Sequence, residues 1–499
     1  MPPTTPTTLA HDRARSAPAQ GTPRPLADRA PTWALAAAGV LLTALAANRA
    51  GVALAGWLAP VPLALLATRW RGARGRSLLW AACVAGSTLQ ALKIVTPPIG
   101  PGFAAAFGVP MGTVTWLTLV LWDAIRRRAG PAWGVHAFAA LTALADLAGA
   151  RSPLGAWAIS TASQVENLPL LQVASLGGLA LVGFVMAWPI GGAVSLLVAP
   201  PGRRPWAHAL AAAAAVLLAH GWGALRLAAG DDGAPTVRVA GVTVDFPARM
   251  TSIADLRGNV DALFARSALA AEAGAQLVAW NEVATVVERE EEPALVARGA
   301  AFARAHRVDL VMAYGVVVSR APLRIANVYR WLGARGEEIE TYGKHFLPPG
   351  EPSLRSRAPL AVHDRPWGRA AGAICYDYDS PPLARAHARG GAGLVVLPSS
   401  DWRGIDPQHA LMARVRAIEG GLSVVRPVRA ATSMAFDPLG RVRASLPARE
   451  RNDHVLLATV PSAQVPTPYA AAGDWPAALA AMLVLAASVA ALRRRGAGG

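Results

Sequence analysis

The chain has 499 residues, 53% hydrophobic and only 16% charged, against about 25% charged in an ordinary soluble domain. A single water-soluble globule is excluded by that balance, because long apolar runs crowd 31–228 and return near the C-terminus, while 229–473 has the mixed texture of a folded soluble domain. The net charge of +17 sits largely in short clusters between the apolar runs, which reads as membrane topology and not as a nucleic-acid footprint.

In chain order, 1–30 is rich in Pro, Thr and Ala and lacks a compact apolar core with a small-residue cleavage site, so it is expected to be a disordered cytoplasmic tail. Apolar stretches follow at 32–47, 51–68, 77–92, 103–122, 131–150, 168–199 and 206–225, with another at 475–492. Each approaches the ~20 residues that cross the bilayer, although the first three are short. The 168–199 run is too long for one upright crossing, which leaves its first third, around Pro169, an interfacial or re-entrant course. Arginine clusters at 13–29, 69–76, 126–128, 203–204 and 493–495 fall in alternate loops, and the other loops hold only Arg49, Lys93 and Arg151. With the N-terminus inside, every cluster is cytoplasmic. The expectation is a polytopic α-helical membrane protein of about eight spans. It comprises a membrane domain at 31–227 with about seven transmembrane helices, an extracytoplasmic domain at 228–474, and a C-terminal transmembrane helix with a basic cytoplasmic tail at 475–499. His136, Asp146, His208 and His220 lie in or near spans, and contacts between helices are their simplest use.

Within 228–474 the texture is α/β. Strands are expected at 237–246, 276–280, 308–318, 325–332, 370–376, 394–397, 423–429, 433–436 and 454–460, and helices at 253–273, 293–306, 382–389 and 408–419. The acidic loop 288–292 reads as a solvated face. The two cysteines, Cys83 and Cys375, fall in settings that speak against a disulfide, and no CxxC or Cys/His cluster points to a metal.

Three short segments carry unusual residues: Leu277-Val-Ala-Trp-Asn-Glu282, Tyr342-Gly-Lys-His-Phe-Leu-Pro-Pro-Gly-Glu351 and Gly372-Ala-Ile-Cys-Tyr-Asp377. Glu282 closes a buried strand, where desolvation raises a carboxylate's pKa and suits it to accept a proton. Cys375 sits at a strand end, where a thiol is both held and accessible. Lys344 supplies a compact cation to favour the thiolate and then an oxyanion. Of the 48 basic residues only Lys93 and Lys344 are lysine, so a bias toward arginine stopped at Lys344, where a planar guanidinium is a poor substitute.

The order Glu, Lys, Cys, each at a strand end, resembles the carbon-nitrogen hydrolase (nitrilase) superfamily, and seven spans before with one after resembles its apolipoprotein N-acyltransferase branch. The resemblance covers about 32–492. It implies an inserted α/β αββα sandwich with Cys375 as nucleophile, Glu282 as general base and Lys344 as oxyanion-stabilising residue. Supporting or substrate-binding positions would be Glu351, Tyr376, Asp377 and Trp402, and further local matches are Asn327, Asp401, Gln408-His409, Met412-Ala-Arg414 and Arg416-Ala-Ile-Glu419. The departures are Asn281 where the family has Pro in Trp-Pro-Glu, Pro348-Pro-Gly-Glu351 for Pro-Phe-Gly-Glu, Asp377 for Glu, and Ser399-Ser-Asp-Trp402 followed by Arg403 for Asn-Asp-Ala-Trp-Phe.

The implied activity is transfer of a fatty acyl group from a membrane phospholipid to the amine of a lipid-modified apolipoprotein, at the outer face of the cell membrane. It needs no cofactor, metal or nucleic acid. Two other readings stand beside it: a membrane-tethered amidase or hydrolase that uses water, and a transporter or receptor that only binds a ligand. The latter leaves the Glu, Lys, Cys set without a purpose.

Overall fold

The computed structural model describes residues 30–153, 155, 160–230, 233–244, 257–447 and 454–496. The expected tail therefore lies almost wholly outside the described residues.

Five described helices are long and apolar enough to cross a membrane: Gly102–Ala129, Pro131–Ala150, Ala174–Val198, Trp206–Ala228 and the helix beginning at Trp475. Three of the eight expected spans fall short of that standard. Thr32–Ala46 has 15 residues, about 22 Å of helix, the next segment is split into Ala53–Leu58 and Pro60–Arg69, and Ala73–Leu92 carries Arg74 and Arg76 in its first turn.

The bundle has two chemically distinct ends. At one, the fully buried carboxylate of Asp123 is held by Arg126 at 2.7 Å, Arg127 at 3.0 Å and Arg71 at 3.5 Å. Arginine clusters from two different loops thus meet at one carboxylate, and Arg494 lies beside Gly130 at the same end. At the other, the polar groups of the helix ends meet the α/β domain. Asp146 Oδ1 accepts the Ser160 N–H, while at the opposite end of its helix His136 shares a hydrogen bond with His208.

The 168–199 run resolves into a short turn of helix, Leu168–Leu171, and the long helix Ala174–Val198, which is broken at Gly177 and Gly178. Gly178 has φ +66°, and a Cβ there would stand 2.4 Å from the Tyr469 ring, so only glycine fits. The break frees the Leu179 N–H, and the Glu419 carboxylate accepts it at 3.1 Å.

The α/β domain stacks two mixed sheets between helix pairs. The first sheet has strand order Val455–Pro461, Thr236–Val242, Leu277–Trp280, Asp309–Arg320, Leu323–Leu332, Glu338–Gly343, with Val286–Glu288 beside the far end of Asp309–Arg320. The second runs Val442–Leu446, Ser433–Phe436, Ser423–Arg426, Leu394–Val396, Gly368–Gly372, His363–Arg365. The two-residue period of a strand divides the layers. Leu277, Ala279, Val311, Ala313, Tyr329 and Trp331 face the second sheet, and Val278, Trp280, Leu310, Met312 and Tyr314 face the helices Val260–Glu272 and Glu292–His306. Pro381–Arg389 and Gln408–Gly420 cover the far side of the second sheet.

Several local expectations are corrected. The strand expected over 370–376 ends at Gly372, because Asp377 Oδ2 accepts the Ile374 N–H and closes a 3₁₀ turn, Cys375–Asp379. The strands Glu338–Gly343 and Val442–Leu446 escape the sequence reading because they carry charged residues, Glu338, Glu340 and Arg443, and show no regular alternation of buried and exposed positions. The helix expected over 253–273 is seen as Val260–Glu272, and 245–256 lies outside the described residues. The acidic loop is solvated at 289–291, as expected, while at its two ends Glu288 pairs with Arg257 and Arg320, and Glu292 accepts the Tyr314 hydroxyl at 2.9 Å and Arg330 at 3.0 Å.

Candidate active site

Ligand sites in parallel sheets form beyond the carboxyl ends of the strands, and the sequence candidates gather there. Glu282 follows Leu277–Trp280, Lys344 follows Glu338–Gly343, and Cys375 follows Gly368–Gly372. The first two come from one sheet and the third from the other, so the site lies at the seam of the sandwich. All three are buried, at 3%, 1% and 6% exposure, which strengthens every charge interaction among them.

Lys344 Nζ donates to Glu282 Oε1 at 2.7 Å and to Glu351 Oε2 at 2.6 Å. Asn327 Nδ2 reaches the same two carboxylates at 2.7 and 3.3 Å. The Cys375 backbone sits at φ +47°, a left-handed conformation that a side-chain-bearing residue adopts only when its surroundings impose it. Its N–H donates to Pro398 O at 2.9 Å, and its Sγ approaches Ser400 O at 3.7 Å.

The charge states differ from those the sequence suggests. Burial opposes the Glu282 charge, but Lys344 and Asn327 outweigh it and hold the carboxyl below the usual carboxylate range. Desolvation alone had implied a raised value; the paired cation reverses it. Burial, and then the Glu282 charge, push the Cys375 thiol well above its ordinary value despite the opposing Lys344 cation. Burial likewise works against Lys344, whose carboxylate neighbours and Cys375 keep it a firm ammonium. At rest the trio is therefore thiol, carboxylate and ammonium, and the thiolate is not preformed.

Beneath the trio, Asp377 accepts the Tyr342 hydroxyl at 2.8 Å and the N–H groups of His345, Phe346 and Ile374 at 2.9, 2.7 and 3.0 Å. It ties the Lys344 loop to the Cys375 turn and is a support, not a substrate contact. Behind Cys375, Asp401 takes a two-pronged bond from Arg426 at 2.8 and 2.9 Å, and His409 bridges Asp401 at 2.8 Å and Asp379 at 3.0 Å. Burial opposes the imidazolium, but the two carboxylates push the His409 pKa up to about 9. Cys375, Asp401 and His409 bring ligand atoms within 4.8 Å of one another, but both His409 nitrogens are already taken up by protein groups, Nδ1 by Asp401 and Arg426 and Nε2 by Asp379.

Above the trio opens a cavity of about 560 Å³. Its polar side carries Glu282, Lys344, Cys375, Ser400 and Arg429; its apolar side carries Ile94 and Ile99, from the turn between Ala73–Leu92 and Gly102–Ala129, and Phe103 and Phe107, from the start of the latter helix. Trp402 joins the two parts: its Nε1 donates to Ile94 O at 2.7 Å and its ring meets Phe103 edge-on at 6.1 Å. Tyr376 also lines the cavity and donates its hydroxyl to Pro153 O at 2.6 Å. Gln408 and Arg414 reach Ala162 O and Val165 O at 2.8 and 2.7 Å. The site is thus roofed by the membrane part.

Glu282, Lys344, Glu351, Cys375, Tyr376 and Trp402 line this cavity with Asn327 and His409, and Asp377 lies beneath the trio, whereas Glu419 serves the helix break at Leu179. The sequence reading missed Arg426, Arg429, Asp379 and the four apolar residues of the roof. Arg426 and Arg429 had a signal, since arginine inside the valine-rich Ser423-Val-Val-Arg-Pro-Val-Arg429 is costly to bury without a purpose.

A family model described as carbon-nitrogen hydrolase matches residues 238–467. An apolipoprotein N-acyltransferase from Azotobacter vinelandii is 29% identical over 488 residues, spanning 88% of this chain and 91% of its own. Another, from Bradyrhizobium diazoefficiens, is 30% identical over 379 residues, spanning 66% of this chain and 67% of its own. Among solved structures, an amidase from Nesterenkonia sp. aligns over 48% of this chain and 94% of its own, at 22% identity and a TM-score of 0.40.

Proposed function

Because this chain belongs to the apolipoprotein N-acyltransferase family, we propose that it transfers a fatty acyl group from a membrane phospholipid to the N-terminal amine of a diacylglyceryl-cysteine lipoprotein, through a thioester on Cys375. The observation that carries this reading is the buried Glu282–Lys344–Cys375 set under a cavity whose other wall is built from membrane helices. Such a cavity suits a substrate that is apolar along its length and reactive at one ester.

In the acylation step the Glu282 carboxylate takes the thiol proton as the sulfur attacks the ester carbonyl, so deprotonation accompanies bond formation. Proton transfer neutralises Glu282 and releases the Lys344 cation to face the oxyanion, where a fixed charge in a dry site is most effective. Collapse breaks the ester C–O bond, the proton on Glu282 passes to the leaving oxygen, and a lysophospholipid departs. The acceptor amine then attacks the thioester, gives its proton to Glu282, and displaces the Cys375 thiolate, which regains that proton.

Charge supports one side of the membrane for the catalytic domain. Arginines 71, 126 and 127 share Asp123 at the end of the bundle remote from the α/β domain. Basic loops stay cytoplasmic, which supports a catalytic domain, 228–474, on the outer face of the cell membrane. Supplying a lipid-modified peptide and water as competing acceptors tests the reaction: the account expects amide to dominate, and release of free fatty acid at the same rate with or without the peptide would make the enzyme a hydrolase.

A further inference from the structure

The proposed chemistry uses Lys344, Glu282 and Cys375, but the cavity holds another cation. Arg429 closes the two-residue strand Val428–Arg429, which pairs in parallel with Ser399–Ser400. That pairing fixes its backbone one strand away from Ser400, whose carbonyl oxygen touches the Cys375 sulfur at 3.7 Å. Its Nη2 donates to Ser400 Oγ at 3.2 Å, and the half-buried side chain still presents surface to the cavity. Two other cations lining the cavity, Lys344 and His409, each contact two carboxylates.

We propose that Arg429 binds the phosphate of the phospholipid donor and thereby sets the donor's ester at Cys375. This rests on the acyltransferase reading and names how that site selects its donor. A guanidinium presents a planar fork of donors that matches phosphate oxygens, and it is more readily desolvated than an ammonium. In a glycerophospholipid the ester and the phosphate hang from one three-carbon backbone, so they must be received side by side. Cys375 and Arg429 flank Ser400 in that way, and the apolar wall of Ile94, Ile99, Phe103 and Phe107 receives the chain. The lipoprotein acceptor carries a neutral diacylglyceryl group at the equivalent place, so Arg429 acts in the acylation step and is idle in the transfer step.

The test measures acyl-enzyme formation on Cys375 with two donors, phosphatidylglycerol and a diacylglycerol bearing the same chains, in the parent, Arg429→Gln and Arg429→Lys. A lost charge-assisted hydrogen bond lowers kcat/KM by about tenfold or more. Arg429→Gln is expected to show that loss with phosphatidylglycerol while its diacylglycerol rate stays within about threefold of the parent, and Arg429→Lys is expected to fall between. Retained diacylglycerol acylation also shows that the variant is folded. Transfer from a preformed acyl-enzyme to the peptide amine should be unchanged. Equal losses with both donors would mean that Arg429 acts on the Cys375 environment and not on phosphate, and no loss with either would remove it from the site; both overturn the proposal. Inorganic phosphate should inhibit the parent far less than lysophosphatidylglycerol does; equal inhibition would mark a free-anion site and overturn it as well. If the parent forms no acyl-enzyme with any donor, the acyltransferase reading falls first and this inference with it.

Discussion

A single buried ammonium, Lys344 Nζ, lies 2.7 Å from Glu282 and 2.6 Å from Glu351. Burial, and then the Glu282 charge, hold the Cys375 thiol well above its ordinary pKa despite the opposing Lys344 cation. In the proposed mechanism this arrangement keeps the Cys375 thiol protonated until a substrate arrives and gives Glu282 the part of base. In the same mechanism the Glu351 contact holds the lysine when Glu282 is neutralised, so that the cation stays in place to meet the oxyanion.

Replacing that lysine separates charge from geometry. Lys344→Arg keeps the charge, but the longer planar fork cannot hold both carboxylates and also face the oxyanion. Losing one oxyanion-type contact costs about 10²- to 10³-fold in rate. The variant should fold, insert in the membrane and lose that much acylation rate in single-turnover measurements. A near-parental rate would take Lys344 out of the reaction.

Stability should carry the signature of His409. Its pKa is raised from 6.5 to about 9 by Asp401 and Asp379, against the pull of burial. The folded state therefore binds the proton more tightly, and the stabilisation is complete below pH 6.5 and disappears as pH rises through about 9. Thermal unfolding in detergent should show the melting temperature falling between those limits, and His409→Gln should flatten that fall. An identical pH dependence in the variant would show that the imidazolium is not held as described.

The helix break at Gly177 and Gly178 makes a second structural prediction. Gly178→Ala must force a side chain into φ +66° against the Tyr469 ring at 2.4 Å, and the backbone strain alone is on the order of 1–3 kcal/mol. It also disturbs the Leu179 N–H that Glu419 accepts. The variant should melt lower than the parent and lose activity through the shared interface, whereas Gly202→Ala, with open space around its Cβ, should melt like the parent.

Orientation is checked by labelling. Arg335 lies at an exposed turn of the α/β domain, its side chain 89% exposed. Arg335→Cys, in a chain with Cys83 and Cys375 replaced, should react with a membrane-impermeant thiol reagent in intact cells. Reaction only after the inner face is opened would reverse the topology.

Much of this was legible in the sequence, for reasons that differ by residue. Buried strands such as Leu277–Trp280 announce themselves as continuous apolar runs, and Glu282 and Cys375 stand out because a polar group follows such a run. Lys344 stood out only because 46 of the 48 basic residues are arginine. What the sequence could not supply is partnership. It placed Glu282 in an apolar setting and so implied a raised pKa, whereas the Lys344 contact comes from a strand 62 positions away and reverses the sign. The cavity roof from Ile94 to Phe107 reads as ordinary membrane-helix sequence, and only the docking of Trp402 onto Ile94 reveals it as part of the site. Edge strands such as Val442–Leu446 alternate too weakly to be seen before their neighbours are known.

The account stands or falls on the acyl-enzyme. Incubating the protein with a phospholipid of defined chains and no acceptor, then digesting it and weighing the peptides, should find one acyl group on the Cys375 peptide, released by hydroxylamine as a thioester is. Cys83→Ala should retain the adduct, since Cys83 is packed in the membrane bundle, and Cys375→Ala should lose it. An unmodified Cys375 peptide in a preparation that nevertheless acylates its lipoprotein, or an acyl group on a residue other than Cys375, would contradict the mechanism.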